Sequence, residues 1–264
     1  MTEVDGLTDK LLTGTRLSKY FGGVKAVDDI DFSLREGELV GLIGPNGAGK
    51  STVFNLLSGA IAPSHGTIHI RGVDMTGKKL FQFAEKGVAR TFQNIRLFKG
   101  MTVFDNVLAG FHRELDTGFL HSIANFSSSR KKEQLARAKA EELLRAFGLY
   151  AHRNKLATHL SYGDQRRVEI ARALAANPQI LLLDEPAAGM NAYEGQELVK
   201  LIGDVWRNYH LSIVLVEHDM EVVMNLCQTI YVMDSGRLIF HGTPEAVRQS
   251  KVVREAYLGG DLDA

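Results

Sequence analysis

The sequence predicts an α/β fold: a mostly parallel sheet with flanking helices, an N-terminal antiparallel β region and an inserted helical block. Short apolar runs at 39–43, 180–184 and 211–216 are typical of buried strands, and helix-forming segments follow them. A second observation is the stretch 94–158, which is mostly helix-forming and interrupts the alternation of strands and helices. The third is the alternation of apolar residues over 13–32, which favours antiparallel strands.

The N-terminal region contains the first turn signals. Residues 1–12 are polar, and we expect them to be frayed. Gly22-Gly23 and Asp28-Asp29 divide the alternating stretch, and each pair predicts a turn. Phe21 lies in the same stretch. An ordinary strand aromatic is the simpler interpretation of Phe21, and an aromatic face for stacking against a base is the alternative.

A glycine-rich segment follows the apolar run at 39–43 and precedes a helix-forming run at 53–57. Strand, glycine-rich turn and helix with Lys and Ser/Thr at its start form the phosphate-binding loop pattern G-x-x-x-x-G-K-[ST]. Its glycines let several backbone N–H groups converge on one anion, and the helix N-terminus favours the same charge. The lysine is placed for the β- and γ-phosphates of ATP, and the serine hydroxyl is placed for Mg²⁺. The predicted ATP-binding residues are Gly44, Pro45, Asn46, Gly47, Ala48, Gly49, Lys50, Ser51 and Thr52.

Several later segments show recognisable helix ends. Thr102, with Asp105 three residues on, is typical of an N-cap, and Ser161 is typical of another. Thr243 caps a last helix, with Pro244 at its first position. Further predictions are helices at 80–86, 130–147, 162–177, 193–209 and 220–227, a loop at 118–129, and strands at 67–70, 88–92, 229–233 and 237–241.

Composition bounds the function. The chain of 264 residues has 31 Lys and Arg against 31 Asp and Glu, and a net charge of zero disfavours a nucleic-acid partner. The single cysteine, Cys227, excludes a disulfide framework and suits a reducing cytoplasm. No apolar run approaches the about 20 residues that span a bilayer, and the N-terminus lacks a signal-peptide core. Any membrane role should therefore be peripheral and act through a partner.

Four polar groups should meet the phosphate loop at the carboxyl edge of the sheet. Asp184 is the expected second contact to Mg²⁺, through water, and Glu185 is the natural general base for a water that attacks the γ-phosphate. His218 can hydrogen-bond the γ-phosphate, and Gln93 can contact both metal and water. Gln93 and His218 are weak signals singly. Their value lies in their order along the chain.

With these residues in order, the sequence resembles the ATP-binding subunits of ABC transporters over about residues 12–260. The segment Leu160-Ser161-Tyr162-Gly163-Asp164-Gln165 corresponds to the family signature Leu-Ser-Gly-Gly-Gln and precedes Arg172-Ala173-Leu174 and the acidic strand. Ala188-Gly189-Met190-Asn191 matches the loop that usually reads Ser-Ala-Leu-Asp at the dimer interface.

The resemblance implies a single domain over 12–264. Within it, 12–93 and 178–264 would form a RecA-like P-loop NTPase core, and 94–177 a helical subdomain with Gln93 as its hinge. Phe21 matches the aromatic that stacks on adenine. The family's signature, here Ser161, Tyr162, Gly163, Asp164 and Gln165, acts on ATP held by a second subunit, with Gly189 and Asn191 in the interface loop. We therefore expect Mg-ATP hydrolysis in a homodimer or a paralogous heterodimer.

Tyr162 and Asn191 depart from the usual signature glycine and interface aspartate, and these departures resemble bacterial branched-chain amino acid importers. That implies two transmembrane permease subunits, an indirect periplasmic binding protein, and a peripheral location at the cytoplasmic face of the inner membrane. Urea or other amino acid import, or lipopolysaccharide export, is the alternative. ABC ATPases of DNA maintenance or translation usually carry a coiled-coil insertion or two tandem ATPase halves, and this sequence has neither. A small-molecule kinase is a further alternative, but it would leave the signature unexplained.

Overall fold

The computed structural model describes residues 10–112 and 126–258. The described residues group into two units. The sheet unit is drawn from 1–90, 179–185 and 202–264, and the helical unit from 91–178 and 186–201. The stretch 94–177, predicted as a helical subdomain, falls in the helical unit together with 186–201.

The strands form two sheets, both in the sheet unit. In chain order they are β1 (Lys10–Phe21), β2 (Val24–Arg35), β3 (Leu39–Ile43), β4 (His65–Ile70), β5 (Val73–Asp74), β6 (Val88–Arg90), β7 (Ile180–Asp184), β8 (Ser212–Val216), β9 (Thr229–Asp234) and β10 (Arg237–Gly242). The α-helices are α1 (Lys50–Leu57), α2 (Leu80–Glu85), α3 (Val103–Leu108), α4 (Phe126–Ala146), α5 (Tyr162–Ala175), α6 (Ala192–Tyr209), α7 (Met220–Leu226), α8 (Pro244–Gln249) and α9 (Lys251–Leu258).

The larger sheet has the order β10-β9-β3-β8-β7-β6, and all its neighbouring strands are parallel except β9 and β10. Every residue of β3, β7 and β8 is buried, which explains why these strands read as continuous apolar runs. Parallel strands end at one edge. The segments after β3, β7 and β8 therefore begin at the same edge of the sheet, and the predicted α/β fold is confirmed.

The smaller sheet is antiparallel, in the order β2-β1-β4-β5, and Gly22-Gly23 forms the predicted turn between its first two strands. The second predicted turn is wrong. Asp28-Asp29 lies inside β2, where the register shifts between the pairs Leu17–Ile30 and Lys19–Val27. Asp29 takes a left-handed φ of 55° and donates its backbone N–H to the Ser18 hydroxyl at 2.9 Å. The same residue types that favour a turn here form a β-bulge.

The helical unit contains α3, α4, α5 and the first half of α6. The predicted N-caps are confirmed: the hydroxyls of Thr102 and Ser161 accept from the backbone N–H groups of Asp105 and Asp164. Of the predicted loop at 118–129, residues 118–125 lie outside the described residues, and 126–129 belong to α4 instead. Of the stretch predicted to be frayed, residues 1–9 lie outside the described residues, and 10–12 belong to β1. Among the described helices, none has the length and apolar character to cross a membrane.

Candidate functional site

The phosphate loop follows β3, and two of its glycines are required by close approach of other backbone. Gly44 has a φ of +153°, and a Cβ there would lie 2.2 Å from the Met233 carbonyl oxygen. Gly49, the N-cap of α1, has a φ of +99°, and a Cβ would lie 2.5 Å from the Ala26 carbonyl oxygen. No side chain fits at either position. The sequence pattern therefore reflects a loop packed tightly against two strands.

Lys50 begins α1 and lies across this loop. Its Nζ donates to the carbonyl oxygens of Gly44 at 2.6 Å and Pro45 at 3.0 Å, and the residue is buried. Burial lowers the pKa of this ammonium, and the carboxylates of Glu185 and Asp184 oppose that shift. Both acids are thus close enough to act electrostatically on the lysine. The next residue, Ser51, is exposed on the first turn of α1.

The two acids follow β7 in different environments. Asp184 is the last residue of the strand and is 9% exposed, whereas Glu185 is half-buried. Glu185 has a left-handed φ of 43° and donates its backbone N–H to the Val216 carbonyl at 2.9 Å. A non-glycine residue in this conformation stores strain, and such strain is concentrated at functional sites.

His218 lies just beyond β8, beside an acid that sequence reasoning missed. Its side chain is 62% exposed, while Glu217 is 1% exposed. The His218 backbone N–H donates to Glu217 Oε2 at 3.3 Å, and His218 Nδ1 lies 3.8 Å from the same oxygen. The buried carboxylate therefore fixes the backbone of His218 and lies near its ring. A charged residue directly after an apolar strand was the available signal for Glu217.

Phe21 is the last residue of β1. Half of its surface is exposed, and Lys19 places its ammonium 5.2 Å from the ring centroid. An exposed aromatic ring can stack on a base. Its neighbouring cation would also favour a phosphate group.

Gln93 and the signature lie in the helical unit. Gln93 is exposed, and its backbone carbonyl accepts from Arg166 Nη2 at 2.8 Å. Ser161 caps α5 by accepting from the Asp164 N–H at 3.2 Å, and Gln165 donates to the Leu160 carbonyl at 2.9 Å. Ser161 is exposed at this helix start. The signature therefore presents a hydroxyl and a helix N-terminus at the surface of the unit.

The interface loop lies beside the signature in the same unit. Gly189 has a φ of +77°, and two ring atoms of Tyr162 lie 3.7 and 3.9 Å from the position its Cβ would take. Asn191 accepts from the Glu194 N–H at 2.9 Å, and its own N–H donates to the Glu194 carboxylate at 3.4 Å. This reciprocal arrangement is a capping box at the start of α6. Gly163 is buried on α5 and faces Glu194 as well.

The sheet unit therefore brings together the phosphate loop, Lys50, Asp184 and Glu185. The helical unit brings together the signature, the interface loop and Gln93. Sequence reasoning also missed Arg166 and Glu169, which are buried on α5. The sequence feature that could have indicated this pair was an Arg and a Glu three residues apart on a predicted helix.

The comparisons with known proteins agree with this geometry. The family model described as "ABC transporter" matches residues 27–188, and a model of the branched-chain amino acid ATP-binding cassette transporters matches residues 237–263. The branched-chain amino acid transport ATP-binding protein LivG of Salmonella typhimurium is 44% identical over 96% of this chain and 99% of its own length. The lipopolysaccharide export ATP-binding protein LptB of Haemophilus influenzae is 35% identical over 94% of this chain and 97% of its own length.

Solved cassettes have the same fold. The ADP conformation of MJ1267, an ATP-binding cassette of an ABC transporter, has a TM-score of 0.81 and 30% identity, covering 95% of this chain and 99% of its own. The dimeric post-hydrolysis state of the cassette MJ0796, bound to ADP and Pi, has a TM-score of 0.74 and 25% identity, covering 88% of this chain and 98% of its own. The chain belongs to the ABC transporter family and is one of its ATP-hydrolysing, ATP-binding subunits.

Proposed function

We propose that this chain is the ATPase of an ABC importer for the branched-chain amino acids Leu, Ile and Val. The observation that carries this proposal is the 44% identity to LivG across 96% of the chain, together with the match of its C-terminal segment, 237–263, to the branched-chain model. The signature departure Tyr162 and the interface departure Asn191 support the same subfamily.

ATP binding rests on the sheet unit. The loop from Gly44 to Thr52 cradles the phosphates with its N–H groups and the start of α1, and Lys50 supplies a cation beside the loop carbonyls. Phe21 stacks on the adenine with its exposed ring. The packed backbone around Gly44 and Gly49 keeps these groups in place before ATP arrives, which reduces the ordering cost of binding.

The oxygen donors near the phosphate loop fit Mg²⁺, which prefers a few protein ligands together with substrate phosphates and water. Ser51 would bind it through its exposed hydroxyl, and Asp184, through water, from the edge of the sheet. Gln93 is proposed as a further contact; it lies in the helical unit, and this role rests on the resemblance. When bound, Mg²⁺ neutralises charge on the β- and γ-phosphates.

Glu185 is the proposed general base. It would accept a proton from the water that attacks the γ-phosphate, and its backbone takes a left-handed φ just beyond β7. His218 donates a hydrogen bond to the γ-phosphate, with Glu217 near its ring. Ser161 to Gln165 contact the γ-phosphate held by a second ATPase chain, either a copy of this one or a related one. ATP would thus close a dimer, and hydrolysis would release it.

The proposed partners are that second ATPase chain and two permease subunits at the cytoplasmic face of the inner membrane. A periplasmic binding protein would act on them indirectly. The first test is Glu185→Gln in the purified chain. We expect it to bind ATP, to lose most turnover, since a general base contributes about 10²- to 10⁴-fold, and to accumulate an ATP-bound dimer in size-exclusion chromatography. An unchanged hydrolysis rate would refute the assignment of the base.

The second test concerns the substrate, because LptB is also similar, at 35% identity. The complex is isolated from membranes, and ATP hydrolysis is measured with a binding protein loaded with leucine, isoleucine, valine or urea. Stimulation by the three branched-chain amino acids is the expected result. Stimulation by urea alone, or copurification with lipopolysaccharide, would assign the chain to one of the alternatives.

A further inference from the structure

Helix α5 contains an ion pair whose burial calls for an explanation. Arg166 and Glu169 are 0% and 1% exposed, and Arg166 Nη1 lies 2.6 Å from Glu169 Oε2. The desolvation of two charges offsets most of their attraction, so such a pair contributes little net stability compared with apolar residues of similar size. Its position must therefore be justified by what else the two side chains contact.

Both side chains bind the backbone of the segment that contains Gln93. Arg166 Nη1 also donates to the Phe92 carbonyl at 2.6 Å, and Nη2 donates to the Gln93 carbonyl at 2.8 Å. The other oxygen of Glu169, Oε1, accepts from the Arg96 N–H at 3.1 Å. The pair therefore fixes three backbone groups of residues 92–96. Because these bonds involve charged groups, each is stronger than a bond between two neutral groups.

Neighbouring contacts hold the rest of the segment. Arg172, six residues beyond Arg166 on α5, donates to the Arg96 carbonyl, and the Arg96 guanidinium lies 4.1 Å from the Phe92 ring centroid. Asn106 on α3 accepts from the Phe98 N–H at 2.9 Å and donates to the Phe98 carbonyl at 3.1 Å. Residues 92, 93, 96 and 98 are thus bound to the helices of their own unit.

The same helix begins at the signature. Ser161 caps α5, and Arg166 follows on the second turn of that helix. Gln93 keeps an exposed position while its carbonyl is held from the buried side. Gln93 and the exposed Ser161 hydroxyl are therefore held in a fixed relation by one helix, through one guanidinium.

We propose that the Arg166–Glu169 pair is a positioning pair that fixes Gln93 relative to the signature helix, so that one rigid body carries both groups. This inference rests on the proposed role of Gln93 at Mg²⁺ and the attacking water. Arg166 is suited to the task because its planar fork bridges two successive carbonyls and a carboxylate, which a lysine ammonium cannot do with the same geometry.

The test measures ATP hydrolysis against Mg²⁺ concentration in variants of the full chain. The double variant Arg166→Met/Glu169→Leu removes both charges and keeps apolar volume, so the fold should survive. Gln93→Ala removes the group that is positioned. The matched control is Arg137→Met/Glu133→Leu, which makes the same replacements at an exposed ion pair on α4. Thermal unfolding and ADP affinity are measured for each variant.

In the double variant we expect the Mg²⁺ concentration for half-maximal activity to rise about tenfold, as for loss of an outer-shell partner. The control pair should leave this concentration unchanged, and ADP affinity should not change in any of them. Adding Gln93→Ala to the double variant should not raise the Mg²⁺ concentration for half-maximal activity any further, because both changes act through Gln93. A purely structural pair would lower the thermal midpoint without moving the Mg²⁺ dependence.

Two outcomes would overturn the inference, and they are distinguishable. If Gln93→Ala raises the Mg²⁺ requirement and the double variant does not, the pair does not position Gln93. If Gln93→Ala itself changes nothing, the proposed role of Gln93 fails and the positioning role fails with it. Should the double variant not fold, Arg166→Lys replaces it, since it keeps the charge and loses the fork. An unchanged Mg²⁺ dependence in Arg166→Lys would also reject the proposal.

Discussion

Replacing Glu185 with glycine should abolish hydrolysis and stabilise the fold relative to a glutamine variant. Glu185 has a φ of 43°, in the left-handed region. A residue with a Cβ costs about 1–2 kcal/mol in that conformation, and glycine avoids this cost. Glycine in turn loses about 0.5–1 kcal/mol through its greater freedom in the unfolded chain. The difference favours Glu185→Gly over Glu185→Gln by about 0.5–1 kcal/mol.

Glutamine is the right reference because both substitutions remove the carboxylate that interacts with Lys50. The comparison therefore isolates the backbone. With an unfolding entropy of about 2.1 cal/mol/K per residue, a difference of about 1 kcal/mol in unfolding free energy shifts the unfolding temperature by about 2 °C for a chain of this size. Differential scanning calorimetry of both variants without nucleotide resolves that shift, and phosphate release measures the activity of each.

We expect the glycine variant to unfold 1–2 °C above the glutamine variant, by the same conversion of about 0.5–1 kcal/mol, with turnover lost in both. A glycine variant that unfolds below the glutamine variant would show that the strain of the left-handed backbone at Glu185 is smaller than the entropic cost of glycine. Retained turnover in the glycine variant would instead reject Glu185 as the base. The two readouts thus separate the stability argument from the catalytic one.

Three further predictions use the same kind of comparison. Gly49→Ala should abolish ATP binding and should destabilise the fold more than Gly22→Ala does. A Cβ at Gly49 would lie 2.5 Å from a backbone oxygen, whereas a Cβ at Gly22, which has a φ of +57°, would meet open space. Urea unfolding and nucleotide titration compare the two variants. Ser161→Ala should cost about 1 kcal/mol in unfolding free energy by loss of the N-cap, and should lower ATPase activity while leaving nucleotide affinity of the isolated chain unchanged. Burial raises the pKa of the Cys227 thiol, so a thiol reagent at pH 8 should label it only on unfolding. The Cys227 thiol then keeps its proton to higher pH in the folded chain than in the unfolded chain. The free energy of unfolding should therefore fall as pH rises above about 8.5, the pKa of an exposed thiol.

The sequence was most informative where burial is complete. The runs that became β3, β7 and β8 are buried at every position, so an uninterrupted apolar stretch followed by polar groups marked both the strands and the functional edge. Asp28-Asp29 shows the opposite case. Turns and bulges use the same residues for the same left-handed geometry, and only the pairing of β1 with β2 decides between them.

The parts that could not be predicted depend on side chains whose surroundings come from distant segments. Arg166 and Glu169 are charged, and charged residues are almost never fully buried unless they are paired, so the sequence did not single them out as buried. Their partners, the carbonyls of Phe92 and Gln93, lie more than seventy residues earlier in the chain. The backbone conformation of Glu185 is equally invisible in sequence, because glutamate rarely adopts a positive φ.

The two departures from the family pattern occur on one surface of the helical unit. The ring of Tyr162 lies against Gly189, two residues before Asn191. Asn191 caps α6 as aspartate would, because both side chains offer an oxygen to the Glu194 N–H. The structural role of the position is therefore kept and its negative charge is lost. An uncharged cap beside an added aromatic ring makes this surface more apolar than the usual pair of glycine and aspartate. Tyr162 contacts Gly189 and Asn191 bonds to Glu194, so the two changes lie in neighbouring contacts of the helical unit.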